Sequence, residues 1–251
     1  MLRNFIQSSI ILSLALYATS CNPSEPANAN NLQSAKESDP SPDAYNVAFL
    51  IMDGVYNTEL TAPYDIFQHT IFREGIKPMR VFTVANTTEP ITTFEGMRIL
   101  PNYNYLQDDI PAIDILVVPS AEHHLDTDLE DVAMLKFVLQ TAENAMFVTS
   151  HCDGAFVLAK TGVLDGHAST TFPSDVDAYR KMFPQLTVHQ DVLFVHDGKF
   201  ITSAGGAKSF EAALYLCEHL YGKAIAEDLA QGLVIDWDLS TVPHVIVPSD
   251  S

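Results

Sequence analysis

The chain has 251 residues, of which 47% are hydrophobic and 18% charged, a balance that excludes collagen-like, coiled-coil and wholly disordered classes. Thirteen Lys and Arg against 32 Asp and Glu leave a formal charge of −19, a field that repels phosphate backbones and anionic lipid surfaces, so no nucleic-acid partner is expected. Three cysteines cannot build a disulfide framework, and the core must come from ordinary burial.

Residues 1–20 read as a secretory signal: Arg3 is the only charge before the apolar run from Ile10 to Tyr17, and Ala18, Thr19 and Ser20 precede Cys21. That ending resembles a bacterial lipobox, with Ala18 where Leu is usual, and implies lipidation of Cys21. Residues 21–44 then form a flexible tether of Asn, Ser, Pro, Ala and acids, in which Leu32 is the only large apolar residue. The expected location is outside the cytoplasm, lipid-anchored. That means the periplasmic face of the outer membrane in a Gram-negative cell, since Asn22 is not the Asp of an inner-membrane retention signal, and the cell surface otherwise. Membrane contact is expected only through the lipid on Cys21.

A folded domain is expected over 45–239, with a Pro-punctuated tail at 240–251. Val47 to Met52 is a continuous apolar run suited to a strand buried on both faces, ended by Asp53-Gly54. Leu60, Tyr64, Phe67 and Ile71 make one stripe of a helix from Leu60 to Phe72. Further strands are predicted at 80–85, 113–118 and 145–150, with a helix over 129–143 between the last two. Helices follow at 155–161 and, from a Ser174 cap, to Met182. Val192 to Thr202 carries an Asp-Gly hairpin turn, and helices at 209–220 and 225–233 close the domain. The alternation predicts an α/β fold with a mostly parallel sheet and crossover helices on both faces.

Cys152 lies between the strand ending at Ser150 and the helix starting near Gly154. Such a strand-to-helix turn raises a side chain above the C-terminal strand ends, and the helix N-terminus favours a thiolate and offers N–H groups to an oxyanion. A buried, inert thiol is the competing reading. Cys217 sits among apolar residues of a helix and is assigned to the core.

His151-Cys152-Asp153-Gly154-Ala155, Gly162-Val163-Leu164-Asp165-Gly166 and Ala168-Ser169-Thr170-Thr171 resemble the nucleophile elbow and following segment of the ThiJ/PfpI family. Asp53-Gly54-Val55 with Glu59 to Phe67, and Ile201 to Gly206 with Ser209 to Leu214, are similar to two further segments of that family. The resemblance implies a class I glutamine amidotransferase-like, flavodoxin-like doubly wound fold. It also implies that Glu59 approaches the nucleophile Cys152. The family includes isonitrile hydratase, the Parkinsonism-associated deglycase and the ligand-binding domains of AraC-type regulators.

Two departures bear on function. Phe172 follows Thr170-Thr171 where glyoxal-acting relatives have His, and Pro119-Ser120-Ala121 replaces a Pro-Gly-Gly turn. His123 or His124, just beyond, is a candidate substitute base, and either could join Glu122, His151 or Cys152 at a metal, although no resident metal or cofactor is expected. The N–H groups of Asp153 and of Ser120 or Ala121 are expected to form the oxyanion and pocket region with Gly154. The favoured function is a Cys-dependent hydratase, hydrolase or lyase acting on a small electrophile. A ligand-binding domain without turnover and a cysteine redox sensor are the alternatives. A homodimer is left open.

Overall fold

The computed structural model describes residues 43–248. The expected signal, the expected lipidation site Cys21 and all of the expected tether but its last two residues lie outside the described residues, as does the end of the tail.

The elements in chain order are β1 (Tyr45–Leu50), α1 (Asn57–Gln68), β2 (Met79–Ala85), β3 (Ile91–Thr92), β4 (Arg98–Ile99), β5 (Tyr103–Asn104), β6 (Ile115–Val118) and α2 (Val132–Asn144). They continue with β7 (Phe147–His151), α3 (Gly154–Lys160), β8 (Ala168–Ser169), α4 (Val176–Met182), β9 (Thr187–Val188), β10 (Phe194–Asp197) and β11 (Phe200–Ser203). The last are α5 (Ser209–Tyr221), α6 (Lys223–Gly232) and β12 (His244–Ile246). An eight-stranded sheet runs β12-β10-β11-β7-β6-β1-β2-β5, parallel at every junction except the β10–β11 hairpin. This is the doubly wound α/β architecture expected from the alternation of strands and helices.

The apolar runs explain the layering. β1 lies between β2 and β6 with helices over both faces, so every residue from Val47 to Leu50 is buried and no polar alternation is needed. One core cluster collects Phe49, Ile66, Phe67, Leu214 and Leu229 around α1, α5 and α6, and it includes Cys217 at 0% exposure. The second collects Leu116, Val148, Phe156, Leu158 and Tyr179 around α2, α3 and α4 on the other face.

Three local expectations are corrected. The first helix begins at Asn57 and stops at Gln68; a 3₁₀ turn over His69–Phe72 rotates Ile71 out of the apolar stripe and leaves it half exposed. Ser174 caps no helix: Pro173, with its fixed φ, opens a 3₁₀ turn over Pro173–Asp175, and the Ser174 hydroxyl donates to Asp175 Oδ2 at 3.3 Å. The tail expected from residue 240 contributes a strand, since β12 pairs with β10 and closes that edge of the sheet. Its three residues are too short to register as a pattern.

The C-terminal ends of β1, β6, β7 and β11 open on the same side. The chain leaves β1 toward β2 on one flank and returns to β6 on the other, so a crevice forms at this reversal. Glu59, Ser120, Cys152 and Gly206 each follow one of these four strand ends.

Candidate active site

Cys152 directly follows β7 with φ of 53°, a left-handed conformation that a side chain other than glycine's adopts only under constraint. Its N–H donates to the Ser203 carbonyl at 2.9 Å, and its own carbonyl accepts from Thr171 Oγ1 at 3.1 Å. Behind it, a Cβ on Gly154 would lie 2.1 Å from the Val118 carbonyl oxygen, so only glycine lets α3 start against the end of β6. The elbow is thereby held from three sides, and the sulfur is aimed over the strand ends.

Two carboxyls meet the sulfur. The thiol donates to Asp153 Oδ2 at 3.6 Å, while Asp153 Oδ1 accepts from Thr171 Oγ1 at 3.1 Å. Glu59, in the first turn of α1, is buried and receives two backbone N–H groups: Gly206 on Oε1 at 3.0 Å and Ser120 on Oε2 at 3.3 Å. It also hydrogen-bonds the Cys152 thiol. Burial raises the Glu59 pKa above the usual carboxylate range, against the opposing effect of those hydrogen bonds. Asp153 is pushed up to about 6, first by burial and then by the charge of Asp175.

The thiol itself is raised, by burial first and then by Glu59 and Asp153, with the Ser120 hydroxyl and the Asp153 N–H opposing. The expectation that the helix N-terminus lowers this pKa is therefore corrected. α3 has only seven residues, and its dipole acts against desolvation and two adjacent acids. These effects favour the neutral thiol over the thiolate.

A cavity of about 400 Å³ opens above it. Tyr56 and Phe172 supply aromatic walls, with the Phe94 ring 4.7 Å from that of Tyr56. Glu59, Glu95, Asp153 and Asp175 supply four carboxyls, Thr58 and Gly206 complete the lining with Cys152, and among the described residues no Lys, Arg or His borders it.

The other expected residues are placed as follows. His124 is fully buried away from the cavity lining: Nδ1 accepts from the Ala121 N–H at 3.2 Å and Nε2 lies 3.4 Å from the Met52 sulfur. Burial depresses its pKa to about 3. His123 is exposed and its Nδ1 lies 3.3 Å from Asp126 Oδ1. Neither histidine is in position to serve Cys152. The expected oxyanion donors are also spoken for, because the Ser120 N–H is held by Glu59 and the Ala121 N–H by His124. The cause is an antiparallel bridge between Val55 and Ala121, which folds the post-β6 loop onto the post-β1 loop. Asp153 keeps its N–H toward the sulfur. His151, the last residue of β7, is buried and hydrogen-bonds Ser203 Oγ at 3.0 Å. Among the described residues, no group of three His, Cys, Asp or Glu side chains is arranged to hold a metal ion.

Sequence reasoning missed Tyr56, Glu95 and Asp175 as cavity residues and Thr171 as the anchor of Asp153. Only Thr171 carried a signal, through the Thr170-Thr171 stretch after the elbow. The other three come from loops and turns without periodicity.

Residues 45–219 match the DJ-1/PfpI family. The chain belongs to that family. Among curated relatives it is 29% identical over 185 residues to isonitrile hydratase of Pseudomonas putida, covering 73% of this chain and 75% of that one. It is 33% identical over 103 residues to the HTH-type transcriptional regulator CdhR of Pseudomonas aeruginosa, covering 41% of this chain and 30% of the regulator. A solved ThiJ/PfpI family protein from Pseudomonas syringae superposes with a TM-score of 0.68 at 23% identity, over 80% of this chain and 83% of that one, and shows the shared fold. The family thus contains an enzyme and transcriptional regulators.

Proposed function

We propose that this DJ-1/PfpI protein is an exported, lipid-anchored enzyme that uses Cys152 to add to a small electrophile, as a hydratase, hydrolase or lyase of the isonitrile hydratase kind. The observation that carries this reading is the Cys152 sulfur, held on a strained elbow between the carboxyls of Asp153 and Glu59 and facing a cavity sized for a small molecule. A neutral thiol beside two acids of raised pKa suits addition in which sulfur loses its proton as the bond to carbon forms. Four carboxyls with no balancing cation among the described lining residues disfavour an anionic substrate and suit a neutral or positively charged one. The likeness to isonitrile hydratase supports the reaction class.

The raised thiol pKa and the likeness to a regulator support a second reading, a ligand-binding domain that keeps the pocket without turnover. A turnover screen of wild type and Cys152→Ala with isonitriles, methylglyoxal, small amides and esters separates them. Turnover lost in Cys152→Ala establishes the enzyme, and saturable binding without turnover in both proteins establishes the binding domain. Peroxide-driven oxidation of Cys152 with neither points to a sensor.

A further inference from the structure

We propose that Asp153 is a catalytic residue in its own right: its Oδ2 takes the thiol proton of Cys152 as sulfur attacks and returns that proton to the substrate heteroatom. This rests on the addition chemistry above for its effect on turnover. The proton transfer itself is readable without any substrate.

Asp153 Oδ2 accepts the thiol hydrogen bond at 3.6 Å, and the carboxyl is kept from rotating by Thr171 Oγ1 on its other oxygen. Because Asp153 is the next residue after the nucleophile, both ride on the same turn and keep their spacing when the elbow shifts. Glu59 is differently placed: both its oxygens already accept backbone N–H groups, from Gly206 and Ser120, which hold it as a fixed partner to sulfur. No imidazole competes. His124 and His151 are buried outside the cavity lining, His123 is on the surface, and Phe172 occupies the wall.

The groups facing Asp153 are all acidic or neutral. Glu59 comes from α1, Tyr56 from the residue before it, Asp175 from the 3₁₀ turn before α4, and Thr171 from the segment after β8. Burial and these acids bring Asp153 to about 6, so at neutral pH it is ionised yet basic enough to accept a proton. In the step, the S–H bond breaks with its proton passing to Asp153, and the sulfur electron pair forms the S–C bond. One pair of the carbon–heteroatom multiple bond moves to the heteroatom, which takes the same proton from Asp153. Asp153 ends ionised as it began and the thiol proton resides on the heteroatom, so charge is conserved.

The test follows alkylation of Cys152 by iodoacetamide in the full-length chain from pH 4 to 9, site-mapped by peptide mass, in wild type, D153N and T171V. Wild type should show an inflection near 6 where Asp153 ionises. D153N should lose it and react about 10²-fold more slowly at pH 7, the lower end of what positioned proton transfer contributes. T171V, which removes a hydrogen bond that lowers the Asp153 pKa, should move the inflection upward. An inflection near 6 kept in D153N, with rates within about threefold of wild type, overturns the proposal. Should D153N not fold, an unmoved inflection in T171V overturns it. Wild type that shows the profile but turns over nothing sinks the enzyme reading and leaves this one standing; full turnover in D153N does the reverse.

Discussion

Gly205 and Cys152 meet backbone to backbone: a Cβ at position 205 would lie 2.3 Å from the Cys152 Cβ and 2.6 Å from its nitrogen. The turn after β11 thus forms the floor on which the elbow stands, and Gly205 itself has φ of 75°. Gly205→Ala should cost at least about 2 kcal/mol, from overpacking and from a left-handed alanine together. Urea unfolding of the variant measures this, and the same substitution should displace the sulfur and slow its alkylation. Unchanged stability and reactivity would show that the turn is free to move away.

The acidic cavity predicts charge selectivity at the thiol. Iodoacetate should alkylate Cys152 at least about tenfold more slowly than iodoacetamide at low salt, and added salt or Asp175→Asn should narrow the gap. Cys217, with 0% exposure inside the α5 core, should remain unmodified by either reagent while the protein is folded. Equal rates for the two reagents at Cys152 would count against the carboxyls as a filter.

Acid stability should be set partly by two buried histidines. His124 and His151 are depressed by burial to about 3, below the ordinary value near 6.5. As pH falls below 6.5 the unfolded chain takes protons that the folded one cannot, so their contribution to stability is full above that pH and is lost as pH falls toward 3. Each adds a slope of up to about 1.4 kcal/mol per pH unit. Asp153 acts in the opposite sense: raised to about 6, it favours the folded state below about 4, and that contribution is lost as pH rises to 6. Denaturant unfolding from pH 7 to 4 should therefore show a shallower loss of stability in His151→Asn than in wild type, and an identical slope would refute the assignment.

The proposed lipidation of Cys21 predicts fractionation. A chain of charge −19 has no electrostatic attraction to anionic lipid, so the membrane-bound fraction should depend on the acyl chains alone. Cys21→Ser should release the protein in soluble form, with its mass increased by no lipid. The mutant remaining with the membrane would remove the tether from this account.

The order of strands and helices was legible because burial writes itself locally. Val47 to Leu50 is apolar without alternation since β1 is covered on both faces, and the placement of Cys152 between a strand and a helix follows from the same periodicity. Glu59 was legible only through its resemblance to a family segment, because nothing in a first-turn acid distinguishes one of 32 acidic residues from another. The tertiary structure alone decided the chemistry at the sulfur. It joined Glu59 to Gly206 across 147 positions and to Ser120 across 61, buried His124 under the loop where a base was expected, and turned Asp153 onto the thiol. Side-chain periodicity reports which face of an element is covered, whereas a pKa and a proton path depend on desolvation and on charges brought within a few ångströms from distant parts of the chain. That is why the position of Cys152 at a strand-to-helix turn could be read from the sequence, while the carboxyls that meet its sulfur came only with the fold.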